Sequence, residues 1–574
     1  LSYDPKVAGF MRYVGQDRCL PLDELTEEAL LAVLPSLCAL WKHPAKIEKR
    51  LHAPSIHRFT PALDALVPLE VPVPENAVPT ADGFGDDHGY TLNKGSFPQG
   101  VRAFVLAGRN VGSIVTASSL GYTFLGNAQQ HRLTPAPGDP GSLSPGEKLY
   151  LRREGVLYDL LACAGKVRWG SGVATWEGLA GGLSYTVVVF CCGEKPFKVV
   201  RVMLSSKGES PGELILTAKP AMGSGITPNP HLWKVERAGA ILFRSGHDPA
   251  FDSGVGILYA KGSTPLYSSE ALYGIPSESG FYDLAGLSVR YNYATFLLGG
   301  GEEEKTEELL AMAKELSADA EQAGAEAFAA EMIPPIEILT RSRGQNLFLN
   351  RFLPYQIAAS RFYARASFRQ SGGAYGFRDQ LQDCLALVYA KPAEVREHIL
   401  RCCRHQYEEG DVQHWWHEGG RGIRTTCSDD LLWLPLVVAD YVKKTGDESI
   451  LAAQAEYIAS PPLTGENERY ELPAKSFLSE TVLLHCIRAF AAADKRGKHG
   501  LLLMGICDWN DAFSAVGAEG KGESVFSTFL FVVAAKAFLP LLRKENPESA
   551  AHLEQTAAEL LKNAEETAFD GNDF

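Results

Sequence analysis

Three loop-to-helix stretches mix carboxylates with aromatic residues and arginine: GGAYGFRDQLQD at 372–383, EEGDVQHWWHEGGRGIRTTCSDDLLWLP at 408–435 and GLLLMGICDWNDAFSAVGAEGKGESV at 500–525. Sugars present flat apolar faces that stack on rings, and hydroxyls that bond bidentately to Asp, Gln and Arg, so this mixture suits a carbohydrate cleft. In the third stretch Asp508 and Asp511 flank Trp509 and Asn510. A carboxyl desolvated against that indole would be raised in pKa, as a general acid near neutral pH requires. An Asx turn or a helix cap accounts for the same four residues, because Asp and Asn favour both.

The other two stretches have equally plain structural readings. Arg378, Asp379 and Asp383 open a helix with the two acids four apart on one face, which complements the helix dipole. Ser428, Asp429 and Asp430 read as a helix N-cap ahead of an apolar core run, LLWLP. His414 and His417 are three apart without a further cluster of ligands nearby, so no metal site is expected.

The elements that must position these residues differ along the chain. Residues 1–84 carry helical patterning, as in LDELTEEALLAVLPSLCALW, and form a helical preface. From 85 to 300 short β-branched and aromatic runs such as YTVVVFCC and FKVVRVML alternate with Gly, Pro, Asn and Asp clusters, which predicts an antiparallel β-sandwich. Residues 301–345 are Ala- and Glu-rich and predict a solvated helical linker. From 346 to 574 the pattern stays helical, with long polar or aromatic loops of the kind that carry function.

Length and composition set outer limits. At 574 residues, with 45% hydrophobic and 22% charged residues, the chain is long enough for several domains with cores of their own. Lys and Arg total 55 against 69 Asp and Glu, a formal charge of −14, and that field repels nucleic acid and anionic membrane surfaces. The eleven cysteines lack C-x-x-C spacing and read as reduced thiols. No run of eighteen apolar residues occurs, and the first residues, LSYDPKVAGF, lack a signal-peptide core, so a cytoplasmic location is expected.

Taken together, the three stretches resemble glycoside hydrolase family 94, the inverting β-glucoside phosphorylases, whose members include cellobiose, chitobiose and 1,2-β-oligoglucan phosphorylases and part of the cyclic β-1,2-glucan synthases. The resemblance runs through 372–383, Gly410–His417, Ser428–Pro435, Asp508-Trp509-Asn510-Asp511 and Gly520–Val525, with a weaker echo at Asn127–Pro135 and Pro145-Gly146-Glu147. It implies a multidomain fold: an N-terminal antiparallel β-sandwich, a helical linker and an (α/α)6 barrel. About seven helices follow residue 346 where such a barrel has twelve, so the helical part is expected to be the first part of a barrel only.

The resemblance also implies roles. Asp511 matches the general acid, while Arg378, Asp379, Asp430, Trp509 and Trp416 are expected to bind substrate. The phosphate-binding residues are expected beyond residue 574, and no metal or cofactor is expected, inorganic phosphate being the co-substrate. Gly-Gly-Ala-Tyr before Gly-Phe-Arg-Asp resembles the β-1,2-glucan-acting branch, so the expected reaction is reversible, inverting phosphorolysis of β-glucooligosaccharides to α-glucose 1-phosphate. Inverting hydrolysis and glucan binding without catalysis are the alternatives, and a homodimer of the kind common in the family is left open. Two departures from the family pattern stand beside the acid: Cys507 replaces a common Gly, and Ala512-Phe513 a common Gly-Met.

Overall fold

The computed structural model describes residues 83–84, 89–93, 103–136, 146–205, 212–224, 233–245, 251–267, 272, 284–335, 337–366, 372–517 and 519–571. The helical preface expected over 1–84 lies, but for its last residues, outside them. Among the described residues, strands from Gly83–Phe84 to Tyr293–Glu302 build a ten-stranded, a five-stranded and a three-stranded sheet, antiparallel at every pairing.

The centre of the large sheet shows why its strands read as unbroken apolar runs. Strand Leu183–Cys191 pairs with Val173–Ala180 on one side and Phe197–Ser205 on the other, with Val187 opposite both Trp176 and Val202. Successive side chains of a strand point to opposite faces. Val187, Val189 and Cys191 enter the core shared with the smaller sheets, around Trp176, Phe104, Leu149 and Leu216. Val188, Phe190 and Cys192 enter a second core on the opposite face. A sheet covered on both faces has no polar side to alternate with.

The cover of that second face corrects the expectation of a solvated linker. Helices α1 (Thr306–Glu315) and α2 (Ala318–Glu331) bury Leu309, Leu310, Ala313 and Ala325 against the sheet, and only their outer faces carry the acidic residues. The last strand also runs two residues past the predicted boundary, to Glu302. Helix α3 (343–363), which includes two π turns, then docks on a sheet edge. Gln356 exchanges two 3.0 Å hydrogen bonds with the backbone of Val105, and Tyr355 donates to the same carbonyl. Those bonds satisfy edge groups that would otherwise be left open.

The helices that follow alternate in position. Helices α4 (Phe377–Leu387), α6 (Trp433–Thr445) and α8 (Val525–Glu545) pack on one another in turn, while α5 (Pro392–Cys403), α7 (Val482–Ala493) and α9 (Pro547–Thr567) lie outside them. Their shared core centres on Leu381, Trp433, Val438, Phe490, Phe531 and Leu560. Helix α8 is long and apolar enough to cross a membrane by length and composition, although no strict run of eighteen apolar residues occurs. Burial of 61% of that stretch inside the protein is what a core helix shows. The loops entering α4, α6 and α8 are the three stretches of mixed acids and aromatics.

Candidate active site

The start of α4 and the loops leading to α6 and α8 converge on a cavity of about 690 Å³, lined among others by Gln130, Arg361, Arg378, Asp379, His414 and Asp511. The volume falls in the usual range for small-molecule sites, about 300–1,000 Å³. One rim comes from the sandwich loop at 126–130. Asn127 there contacts His417 Nδ1 at 2.9 Å and donates to Glu418 at 2.7 Å, while Arg365 donates to the Gly126 carbonyl at 2.8 Å. Gly373 passes so close to this loop, at φ +66°, that any Cβ would collide with Asn127 Oδ1. The weaker sequence echo at Asn127–Pro135 therefore falls on the cleft rim.

Arg378 is the hub of the cavity floor. Buried at the N-terminal turn of α4, it donates to Asp429 at 3.2 Å, to the Asp508 carbonyl at 3.2 Å and to Asp511 Oδ1 at 2.8 Å. Burial disfavours its charge, yet Asp429, Asp430 and Asp511 outweigh that and hold the guanidinium protonated. Asp429, wholly buried, also accepts from Trp433 Nε1 at 3.0 Å. Burial first, and then Asp430, push its carboxyl up to about 6 against the opposing pull of Arg378.

Asp508 and Asn510 behave as turn residues. Asp508 accepts from the Asn510 backbone at 3.0 Å and from Ser524, the N-cap of α8, at 2.7 Å. Asn510 caps the short helix Asp511–Phe513. The effect is to fix the loop so that Asp511 projects into the cleft. Desolvation of Asp511 against an indole, expected from the sequence, is not found: its side chain is 63% exposed and meets Arg378 and the Cys507 thiol, at 3.8 Å.

The remaining candidates divide. Asp379 lines the cavity and accepts from Arg361 at 3.3 Å, and Arg361 also holds Asp383 at 3.1 Å. Asp430 is buried beneath the wall and accepts from His414 Nδ1 at 2.7 Å. Burial opposes the imidazolium, but the Asp430 carboxylate prevails and raises His414 to about 9. Trp509 stands off the cavity wall, half exposed, donating to Gln382 at 3.4 Å. Trp416 is corrected outright: it is a core residue, 2% exposed, stacked on His405 at 3.9 Å.

Sequence reading missed Trp415 and Tyr470, which line the cavity with ring centroids 5.6 Å apart. Alternation along the strand Gln413–Trp416 could not have found Trp415, because the register shifts between 413 and 415 and turns His414 and Trp415 both to the cleft. The His414 and His417 pair does not converge: His417 contacts Asn127 and His414 bonds Asp430. His414 instead gathers with Cys427 and Asp430, and Cys427 in turn with Cys507 and Asp511.

Antiparallel sheets joined to a helical domain, with acids gathered in the loops before alternate helices, make up the architecture. The fold extends to a bacterial glucoamylase complexed with acarbose, with a TM-score of 0.52 at 9% identity over 85% of this chain and 68% of that one. The catalytic-domain model of the glycosyl hydrolase 94 superfamily matches residues 328–574, and that of the glycosyl hydrolase 94 supersandwich domain matches 91–220. The chain belongs to the glycosyl hydrolase 94 family, and its helical domain has the α/α barrel fold.

Two curated relatives are the cyclic β-(1,2)-glucan synthase NdvB of Rhizobium meliloti strain 1021 and the 3-O-β-D-glucopyranosyl-β-D-glucuronide phosphorylase of Paenibacillus borealis. The first is 38% identical over 285 residues, 48% of this chain and 10% of that protein. The second is 28% identical over 232 residues, 39% of this chain and 27% of that protein. The chain thus spans from a tenth to about a quarter of these relatives' lengths.

Proposed function

We propose that this chain carries the acid-bearing part of an inverting phosphorylase that cleaves β-linked glucooligosaccharides, with a preference for β-1,2 linkages, to α-glucose 1-phosphate and a shortened glucan. The observation that carries the reading is the convergence of Arg378, Asp379, His414 and Asp511, from segments far apart in the chain, on one sugar-sized cleft. Similarity to a β-(1,2)-glucan synthase and to a glucoside phosphorylase supports the substrate class.

In this reading Asp511 donates the proton to the glycosidic oxygen as the bond to the anomeric carbon breaks, and phosphate attacks that carbon from the opposite ring face. Phosphate arrives already anionic, so no second carboxylate is needed to activate it, whereas an inverting hydrolase needs one for water. Asp379 and Arg361 bond sugar hydroxyls, Trp415 and Tyr470 offer apolar faces, and Asp430 acts through His414. The metal-free, cofactor-free chemistry expected from the sequence belongs to the same proposal.

The test is release of α-glucose 1-phosphate from β-1,2-glucooligosaccharides in the presence of phosphate. Asp511→Asn is expected to lower that rate about 10²–10⁴-fold, the usual worth of a positioned general acid, and to leave sugar binding in place. Glucose released without phosphate would assign a hydrolase instead. Full turnover in Asp511→Asn would remove the acid from position 511.

A further inference from the structure

We propose that the floor of the cleft is also a binding site for a thiophilic divalent cation of the zinc class, held by Cys427 and Cys507 together with Asp511. Two three-residue groups carry the argument. Cys427, Cys507 and Asp511 bring their donor atoms within 4.8 Å of one another, as do His414, Cys427 and Asp430. The groups share Cys427, so one ion seated on that sulfur has donors on both sides.

The local backbone places the two thiols as neighbours. Ser428 donates its N–H to the Cys507 carbonyl at 3.0 Å, and Ile506 donates to Thr426 Oγ1 at 3.0 Å, so 426–428 and 505–507 run side by side. Cys507 already points at Asp511, with Sγ 3.8 Å from Oδ1. Tetrahedral zinc at its usual bond lengths spaces its ligand atoms about 3.3–3.8 Å apart. Side-chain rotations therefore close the site without moving the backbone far.

Charge and polarity favour a cation there. Asp429, Asp430 and Asp511 carboxylates and the Asp508 carbonyl lie around the thiols, and Arg378 and His414 are the cationic groups that meet these acids. Asp430 Oδ1 is buried without a hydrogen-bond partner. An unmatched buried oxygen is costly, and Asp430 belongs to the second group that Cys427 joins. The two thiols are 5% and 7% exposed while Asp511 opens to the cleft, so an ion can reach the sulfurs from the substrate side. On binding, each thiol loses its proton to solvent as its sulfur bonds the metal, and Asp511 gives up part of its bond with Arg378.

The site is distinct in consequence from the proposed catalysis. A metal on Asp511 takes the oxygen that the sugar would need, so the ion acts as a reversible block of the cleft. That last effect rests on the reading of Asp511 as the acid, but the binding does not.

The experiment is a titration of the chelator-treated, reduced protein with Co²⁺ in the absence of sugar, read as a thiolate-to-cobalt charge-transfer band in the near ultraviolet. One equivalent is expected to bind with the band, and Zn²⁺ to displace it. Cys427→Ser and Cys507→Ser are each expected to lose the band while keeping the wild-type circular dichroism. Absence of the band, its survival in Cys507→Ser, or recovery of the two cysteines as a disulfide after treatment with reductant would each overturn the site. With phosphorolysis measured in parallel, Zn²⁺ is expected to inhibit the wild type at concentrations at least tenfold below those needed for Cys507→Ser. A band without inhibition would leave the metal site standing and sink only its link to Asp511.

Discussion

Arg378→Ala separates the buried part of the cleft floor from its exposed part. The guanidinium binds Asp429, which is fully buried, and Asp511, which is 63% exposed. Removing one partner of a buried pair leaves an uncompensated charge and costs about 3–5 kcal/mol. The exposed Asp511 pair adds at most about 1 kcal/mol, because water screens it. Asp429 keeps its bond from Trp433 Nε1, so the lower end, roughly 3 kcal/mol, is expected. At roughly 2–4 °C per kcal/mol for a unit of this size, the helical domain should melt about 10 °C lower. The sign of the pH dependence follows from Asp429. Its carboxyl is already raised to about 6, and loss of the arginine raises it further. Above its own, higher value the variant carries an unpaired carboxylate; as pH falls from there the carboxyl takes a proton and needs no guanidinium, so the deficit fades with falling pH and levels off below about 6. Urea unfolding of both proteins at pH 8 and pH 5 measures this. A deficit below about 0.5 kcal/mol at pH 8, the range of an ordinary surface change, would refute the buried network, as would an equal deficit at both pH values.

Three other perturbations read neighbouring parts of the site. His414→Gln should cost stability that is fully present below pH 6.5 and disappears as pH rises through about 9, since the folded-state imidazolium is held by Asp430; unfolding free energies between pH 6 and pH 10 give the profile, and a pH-independent difference would contradict it. Trp415→Ala should weaken sugar binding roughly tenfold with little change in stability, whereas Trp416→Ala should cost about 3–5 kcal/mol of stability through the cavity it leaves; calorimetry and thermal melts distinguish them, and the reverse assignment would mean that the strand faces are misplaced. Gly373→Ala forces a Cβ into Asn127 Oδ1 at a positive φ and should destabilise by about 1–3 kcal/mol while raising KM, because it pushes the sandwich rim from the cleft; an unchanged KM would detach that rim from substrate.

What the sequence made legible was set by how local the signal was. The strand runs and the helices announced themselves because burial imposes a period within one element: YTVVVFCC is unbroken because both faces of its strand are covered. The fate of 301–345 was not legible, because Ala- and Glu-rich helices look solvated until a sheet face that lacks a partner is known to lie beside them. Arg378, Asp379 and Asp511, singled out from spacing and resemblance, each line the cavity. Trp415 was missed because a shift of register turns it to the cleft beside His414, and Trp416, carried over from the resemblance, lies in the core.

The same logic explains why the acids cluster where they do. Helices α4, α6 and α8 follow loops at one end of the barrel, and their N-terminal turns need acceptors for free N–H groups. Ser524 meets that need for α8 and at the same time fixes Asp508, which holds the loop from which Asp511 projects. At α8, capping and site-building thus draw on the same residue, whereas α4 and α6 start without a side-chain cap. The N-cap expected at Ser428–Asp430 does not form, since neither the turn at Asp430–Leu432 nor α6 has a side-chain cap and Ser428 bonds the Cys507 carbonyl and Ser527 instead. The turn readings of Asp508 and Asn510 hold, and they are not rivals to a functional one, because a carboxylate can be aimed into a cleft only by a loop that is itself held.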